Sequence, residues 1–217
     1  NKTLVIKSLS EGETNITIKN KFNKTAEVSV VVKLVWNYKF AYNNYQCLLV
    51  NNPILIERAI SGWNTGTLSY SINAQTGKSI IENVYFKYGN RGSLMFNASK
   101  DVGRATVTVT ESNADTQIYL VVDTIDFTID MDSIKEIKKD TEENVDISKD
   151  NVEKLICSSE NSEVVTCNIE NDKLIIKASD LALVGEETII TIEGRNTYDN
   201  YTYTCSGKKE YTIKIVE

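Results

Sequence analysis

Leu94-Met95-Phe96-Asn97-Ala98-Ser99-Lys100, then Val102-Gly103 and Thr106-Val107-Thr108-Val109, is written again eighty residues later. The second copy reads Leu174-Ile175-Ile176-Lys177-Ala178-Ser179-Asp180, then Val184-Gly185 and Thr188-Ile189-Ile190-Thr191-Ile192. A period of roughly 80 to 90 residues is too long for a solenoid repeat and suits one small domain. The match extends outward. Leu68-Ser69-Tyr70-Ser71 aligns with Leu155-Ile156-Cys157-Ser158, and Val84–Lys87 with Val165–Asn168. The expectation is an all-β chain of two tandem sandwiches, residues 1–122 and 123–217. The first is repeat-like from about residue 67 and carries extra strands before it.

Alternation with period two supports strands throughout. Ile16 and Ile18 alternate with Thr17 and Lys19. Val28, Val30, Val32, Leu34, Trp36 and Tyr38 alternate with Ser29, Lys33 and Asn37. These predict a hairpin around Asn20–Thr25, its second strand long and buried on at least one face. Tyr211, Ile213 and Ile215 predict a final strand with one wet face. Tyr88-Gly89-Asn90-Arg91-Gly92 and Asn171-Asp172 are hairpin turns in corresponding places. Helix is scarce: Ser133-Ile134-Lys135-Glu136 has capping-box spacing but reads as a bend among strands. The second half differs by an insertion, Asn196 to Gly207.

At 217 residues, with 41% hydrophobic and 25% charged residues, either one large domain or two ordinary ones can bury a core. No apolar run is long enough to span a membrane. Asn1 to Ser10 lack a signal-peptide pattern, so an exported form would have lost its signal. The net charge of −6 divides unevenly. Up to Val122 there are 13 Lys/Arg against 8 Asp/Glu; from Asp123 there are 11 against 22. Two surfaces drifting apart would give this. So would unlike ends that steer copies into head-to-tail contact. The Lys and Arg of the first half are scattered and not interleaved with aromatics, which argues against nucleic acid as a partner.

Chemistry is sparse. With no histidine, Ser-His-Asp, Cys-His and ordinary zinc hydrolase sites are excluded. Thr76-Gly77-Lys78-Ser79 lacks the second glycine of a phosphate loop, since Ile72 stands there, and strand follows it. No catalytic or cofactor-binding residue is assigned, and an enzyme is not expected. Asp123, Asp126, Asp130 and Asp132 lie where two domains would meet. Calcium could stiffen such a junction, but the spacing fits no calcium loop, so a solvated acidic surface is preferred and no cofactor or metal is expected. None of Cys47, Cys157, Cys167 and Cys205 forms a Cys-x-x-Cys pair. One disulfide among Cys157, Cys167 and Cys205 would suit an extracellular protein, the third thiol staying free or meeting Cys47. The alternative is four buried thiols acting as small hydrophobes. Tyrosines gather at Tyr38, Tyr42 and Tyr45, and again at Tyr198, Tyr201 and Tyr203, as they do at interfaces.

The second half resembles the group 2 bacterial immunoglobulin-like domain of the intimin and invasin type. The residues that carry the likeness are Cys157-Ser158-Ser159-Glu160-Asn161, Val164-Val165-Thr166, the Asn171-Asp172 turn, Leu174 to Ala178, and Gly185 to Ile192. The first half is similar from Leu68 to Val122. The resemblance implies spacer, adhesion or assembly modules of bacterial surfaces and phage particles, and no shared catalytic site. The expected function is a structural subunit of an extracellular, cell-surface or virion assembly. Its partners would be other copies of the chain or neighbouring subunits. The alternative is an adhesin or carbohydrate-binding module presenting Tyr42, Tyr45 and Trp63.

Overall fold

A computed structural model describes residues 5–7, 12–32, 38–62, 66–75, 77–90, 92–112 and 117–217. Trp63, Trp36 and Asn1–Leu4 lie outside the described residues. The strands are β1 (Gly12–Lys19), β2 (Thr25–Val32), β3 (Lys39–Phe40), β4 (Tyr45–Leu49), β5 (Ile56–Arg58), β6 (Ile60–Ser61), β7 (Leu68–Ala74), β8 (Ile81–Phe86), β9 (Leu94–Ala98), β10 (Gly103–Glu111) and β11 (Gln117–Ile129). They continue as β12 (Glu136–Lys138), β13 (Glu142–Asp150), β14 (Lys154–Ser159), β15 (Val165–Glu170), β16 (Lys173–Ala178), β17 (Glu187–Tyr198) and β18 (Tyr201–Val216).

Strand pairing gives two sandwiches of one design. In the first, β3 pairs with β6, and β5, the preceding segment of the same run, pairs with β9, which pairs with β8. The opposite face runs β4-β11-β10-β7, with β4 parallel to β11. In the second, one face runs β11-β13-β16-β15 and the other β12-β18-β17-β14, with β12 parallel to β18. This is the immunoglobulin order of four strands against a three-strand face, here with one parallel strand added to the latter. The aligned sequence segments occupy equivalent strands: β7 with β14, β8 with β15, β9 with β16, β10 with β17.

The reasons are local. In β10, Ala105, Val107 and Val109 are buried while Arg104 is exposed; in β17, Ile190 and Ile192 are buried. Gly103 (φ +153°) and Gly185 (φ +87°) each precede these strands in backbone geometry that disfavours a side chain. Asn171 and Asp172, like Asp199 and Asn200, have positive φ at both central turn positions and close two-residue hairpins. Met131–Ser133 is a single 3-10 turn, with Asp130 accepting from the Asp132 N–H. The phosphate-loop look-alike is a strand connector: Lys78 Nζ donates to the Val102 carbonyl at 2.7 Å.

Two hydrophobic clusters follow from this layering. One gathers Tyr38, Phe40, Leu48, Leu94, Phe96, Val107 and Leu120, among others. The other gathers Ile125, Phe127, Leu174, Ile190 and Ile213, and also takes Tyr45, Cys47 and Leu49 from the first half. β4 therefore serves both: Leu48 faces one core, its neighbours the other.

The N-terminal hairpin departs from expectation. β1 and β2 pair over their full length, Gly12↔Val32 to Lys19↔Thr25, and form a sheet with no third strand among the described residues. The turn is closed by Asn20, whose Oδ1 accepts from the Phe22 and Lys24 N–H groups. The long buried strand expected from Val28 is bounded at Val32 within the described residues, and its valines are not buried. Val28 is 47% exposed and Val31 56%. Alternation made one face apolar, with Ile16 opposite Val28 and Ile18 opposite Ala26. No layer covers that face among the described residues.

Candidate functional site

The polar and aromatic groups converge at the junction of the sandwiches. β11 runs through both: Val121–Ile125 pair with β4, and Asp126–Ile129 pair with β13. The insertion Asn196 to Gly207 is the tip of the β17–β18 hairpin, prolonged past a bulge between Glu193 and Arg195. Gly194 sits at that bulge because a Cβ there would lie 2.2 Å from the Ile125 Cδ1 atom. The prolonged hairpin reaches back to β4, where Ser206 pairs with Leu48.

Tyr45 is the centre. It stacks on Tyr198 (centroids 4.7 Å, planes 5° apart) and lies against Tyr203 at 4.9 Å. Its hydroxyl donates to Asp123 Oδ2 at 2.8 Å. Arg104 closes on the same carboxylate with two bonds, Nε to Oδ1 at 2.7 Å and Nη2 to Oδ2 at 2.8 Å. Around this, Asn151 Nδ2 donates to the Gly103 and Thr124 carbonyls, and Asn196 Nδ2 to the Asn151 carbonyl. Cys47 on β4 is disulfide-bonded to Cys205 on β18, joining the two sandwiches covalently.

The sequence-predicted residues are placed as follows. Tyr45, expected among surface rings, is 1% exposed: it belongs to the junction, where Tyr198 and Tyr203 pack against its ring. Tyr42 is 75% exposed, beside the half-exposed Tyr119. Trp63 lies outside the described residues. Of the thiols expected to pair within the second half, Cys205 instead bonds Cys47, because the hairpin tip carries it to the far end of its sandwich against β4. Cys157 and Cys167 are free, half-buried thiols. The acidic run is dispersed: Asp123 binds Arg104, Asp126 binds Lys209, and Asp132 binds Lys135. Among the described residues no three His, Cys, Asp or Glu side chains converge as metal ligands.

Electrostatics make the junction sensitive to alkali. Burial, then the hydrogen bond to Asp123, push the Tyr45 phenol well above its ordinary value near 10. Because the folded value is raised, its stabilisation is complete below about pH 10 and is lost as pH rises beyond it. Burial and Asp126 raise Tyr211 in the same direction. Denaturant unfolding measured between about pH 9 and pH 11.5 should show stability falling with pH. Tyr45→Phe should flatten that fall, by up to about 1.4 kcal/mol per pH unit. Identical slopes for the two proteins would remove Tyr45 as a cause.

Fold and junction define the class: tandem immunoglobulin-like β-sandwiches, covalently joined where they meet. No family model matches the chain, and no curated protein does. Solved structures similar to it include the three N-terminal domains of the highly immunogenic outer capsid protein (Hoc) of bacteriophage RB49. That match has 12% identity and a TM-score of 0.41, over 95% of this chain and 78% of that one. Domains 4 and 5 of the S-layer protein SbsC match with 13% identity and a TM-score of 0.31, over 68% and 77%. An I-band fragment of titin matches with 11% identity and a TM-score of 0.32, over 95% and 74%. Likenesses this distant carry no argument about function.

Proposed function

We propose that the chain is a structural subunit of an extracellular or virion assembly, such as a surface filament, surface layer or phage particle. On this reading copies join head to tail through the N-terminal hairpin. It acts as two modules, 1–122 and 123–217, of the group 2 bacterial type, without catalysis, cofactor or nucleic-acid partner. The single observation that carries the reading is the bare β1–β2 hairpin. A lone two-stranded hairpin is marginal in water, and among the described residues nothing covers the apolar face or the two edges of this one. A second copy would supply the missing layer by strand addition or face packing.

Charge and position favour one docking place. The hairpin tip carries Lys19, Lys21 and Lys24 around Phe22, which is 72% exposed. The far end of the second sandwich offers Leu181, Leu183 and Val184, all exposed, beside a depression of about 580 Å³. Glu163 and Glu186 line it. That end is beside the close of β18, where the Gly185 N–H donates to the Ile215 carbonyl. The hairpin precedes β3, which lies at the start of β11, at the opposite end of the pair. Unlike patches at opposite ends make a contact that propagates instead of closing. A disulfide also suits an oxidising, extracellular setting.

Light scattering of the full chain across a concentration series tests this. Polymers should form at about 0.05 M salt, weaken at about 0.5 M, and vanish on deletion of residues 1–32 or with Phe22→Glu. A strictly monomeric protein at high concentration sinks the reading. The exposed pair Tyr42 and Tyr119 favours a second one, an adhesin or carbohydrate-binding module that stacks sugar rings. A monomer that binds glycans and loses them with Tyr42→Ala would select it.

A further inference from the structure

β14 and β15 are the outermost strands of the two faces of the second sandwich, on the same side, and the chain passes directly from one to the other. Alternation sets one cysteine of each inward. On β14, Leu155 is buried and Cys157 follows two residues on; on β15, Val165 is buried and Cys167 follows likewise. Both thiols pack against the core cluster, beside Ile192 and Ile176 on the neighbouring strands. β14 and β15 pack against each other, and each of the two thiols shifts the ionisation of the other. The two thiols therefore lie on adjoining strands at the seam where the sandwich is open, partly exposed to solvent.

We infer that Cys157 and Cys167 form a second, accessible redox site, which a small disulfide oxidises to a Cys157–Cys167 bond that staples β14 to β15. The Cys167 thiolate attacks one sulfur of the oxidant, forming a mixed disulfide and expelling one thiolate, which takes up a proton. Cys157 loses its proton to solvent and attacks the Cys167 sulfur, expelling the second thiolate, which is protonated in turn. Two protein thiols are oxidised and one small disulfide is reduced to two thiols, so no other redox partner enters. The order follows from the two environments: the neighbouring Cys157 lowers the pKa of Cys167, whereas Cys167 and burial raise that of Cys157, so Cys167 ionises first. Cys47 and Cys205, 1% and 3% exposed, are shielded from the same exchange.

The site can be tested whether or not copies associate. The full chain, with Cys47–Cys205 intact, is incubated with oxidised glutathione; remaining thiols are alkylated, and the digest is read by mass spectrometry. The expected product is a cross-link between the peptides of Cys157 and Cys167, reversed by dithiothreitol while Cys47–Cys205 survives. Cys157→Ser should stall as a mixed disulfide on Cys167. Cys167→Ser should likewise stall, as a mixed disulfide on Cys157, because each variant lacks the thiol that would resolve it. Two alkylated thiols after prolonged oxidation, or stable glutathione adducts at both positions of the unmodified sequence, would overturn the inference.

Discussion

Replacing Cys47 and Cys205 together by serine should lower the stability of the joined sandwiches by about 4 kcal/mol, the larger of the effects expected here. The cysteines are 158 positions apart, so their bond closes most of the chain into one loop. For a loop of that length, chain entropy gives a limit of about 5 kcal/mol, and native bonds of this kind usually deliver somewhat less. In a protein of this size, about 4 kcal/mol corresponds to a fall of roughly 10 °C in midpoint. Calorimetry should also show a change of form. With the bond intact, both cores should unfold in one transition, since β4 contributes to each. Without it, the transition should broaden or divide. The control is Cys157→Ser with Cys167→Ser in the reduced protein, which removes no cross-link. A shift below about 1 kcal/mol for the Cys47 and Cys205 pair would mean that packing alone holds the junction.

The bond would matter most under load. A tandem array pulled from its ends transmits force through the junction, which is crossed by the continuous β11 and, between β4 and β18, by the disulfide and the adjoining ladder position Leu48↔Ser206, among other contacts. An assembly subunit that joins neighbours at its two ends would be loaded along this axis. The proposed staple between β14 and β15 would stiffen a different place, the open flank of the second sandwich.

The repeat made most strands legible, because each aligned segment has the alternation of a half-buried strand and ends in a turn with its own chemistry. β4 was illegible for the opposite reason. Tyr45, Cys47, Leu48 and Leu49 are all buried, since both faces of the strand are covered, and a strand buried on both sides loses its period. The pairing of Cys47 with Cys205 was hidden with it, because it depends on where two separate units touch. One signal was present. The two tyrosine groups read as interface residues do meet, Tyr45 from one against Tyr198 and Tyr203 from the other. The hairpin shows the other limit. Alternation in Ile16, Ile18, Val28 and Val30 marks an apolar face, but periodicity does not say whether the chain itself will cover it.

Arg104→Ala should cost about 3 kcal/mol, and the reason lies in what it leaves behind. The Asp123 side chain is only 2% exposed, whereas that of Arg104 is 53% exposed. Removing the arginine deletes two charge-assisted bonds and strands a carboxylate in the junction with Tyr45 as its remaining partner among the groups just described. Arg104→Lys should recover only part of the loss, because an ammonium cannot reproduce the two-pronged contact. Adding Asp123→Asn to Arg104→Ala is the decisive comparison. The amide removes the uncompensated charge, keeps nearly the same volume and still reaches the Tyr45 hydroxyl. The double variant should therefore be more stable than Arg104→Ala alone, by about 1 kcal/mol or more. Urea unfolding of the parent protein, Arg104→Ala, Asp123→Asn and the double variant measures the coupling directly. If the second substitution only adds to the damage of the first, the buried charge is not what Arg104 compensates, and its contribution comes from packing its stem at the Tyr198 ring.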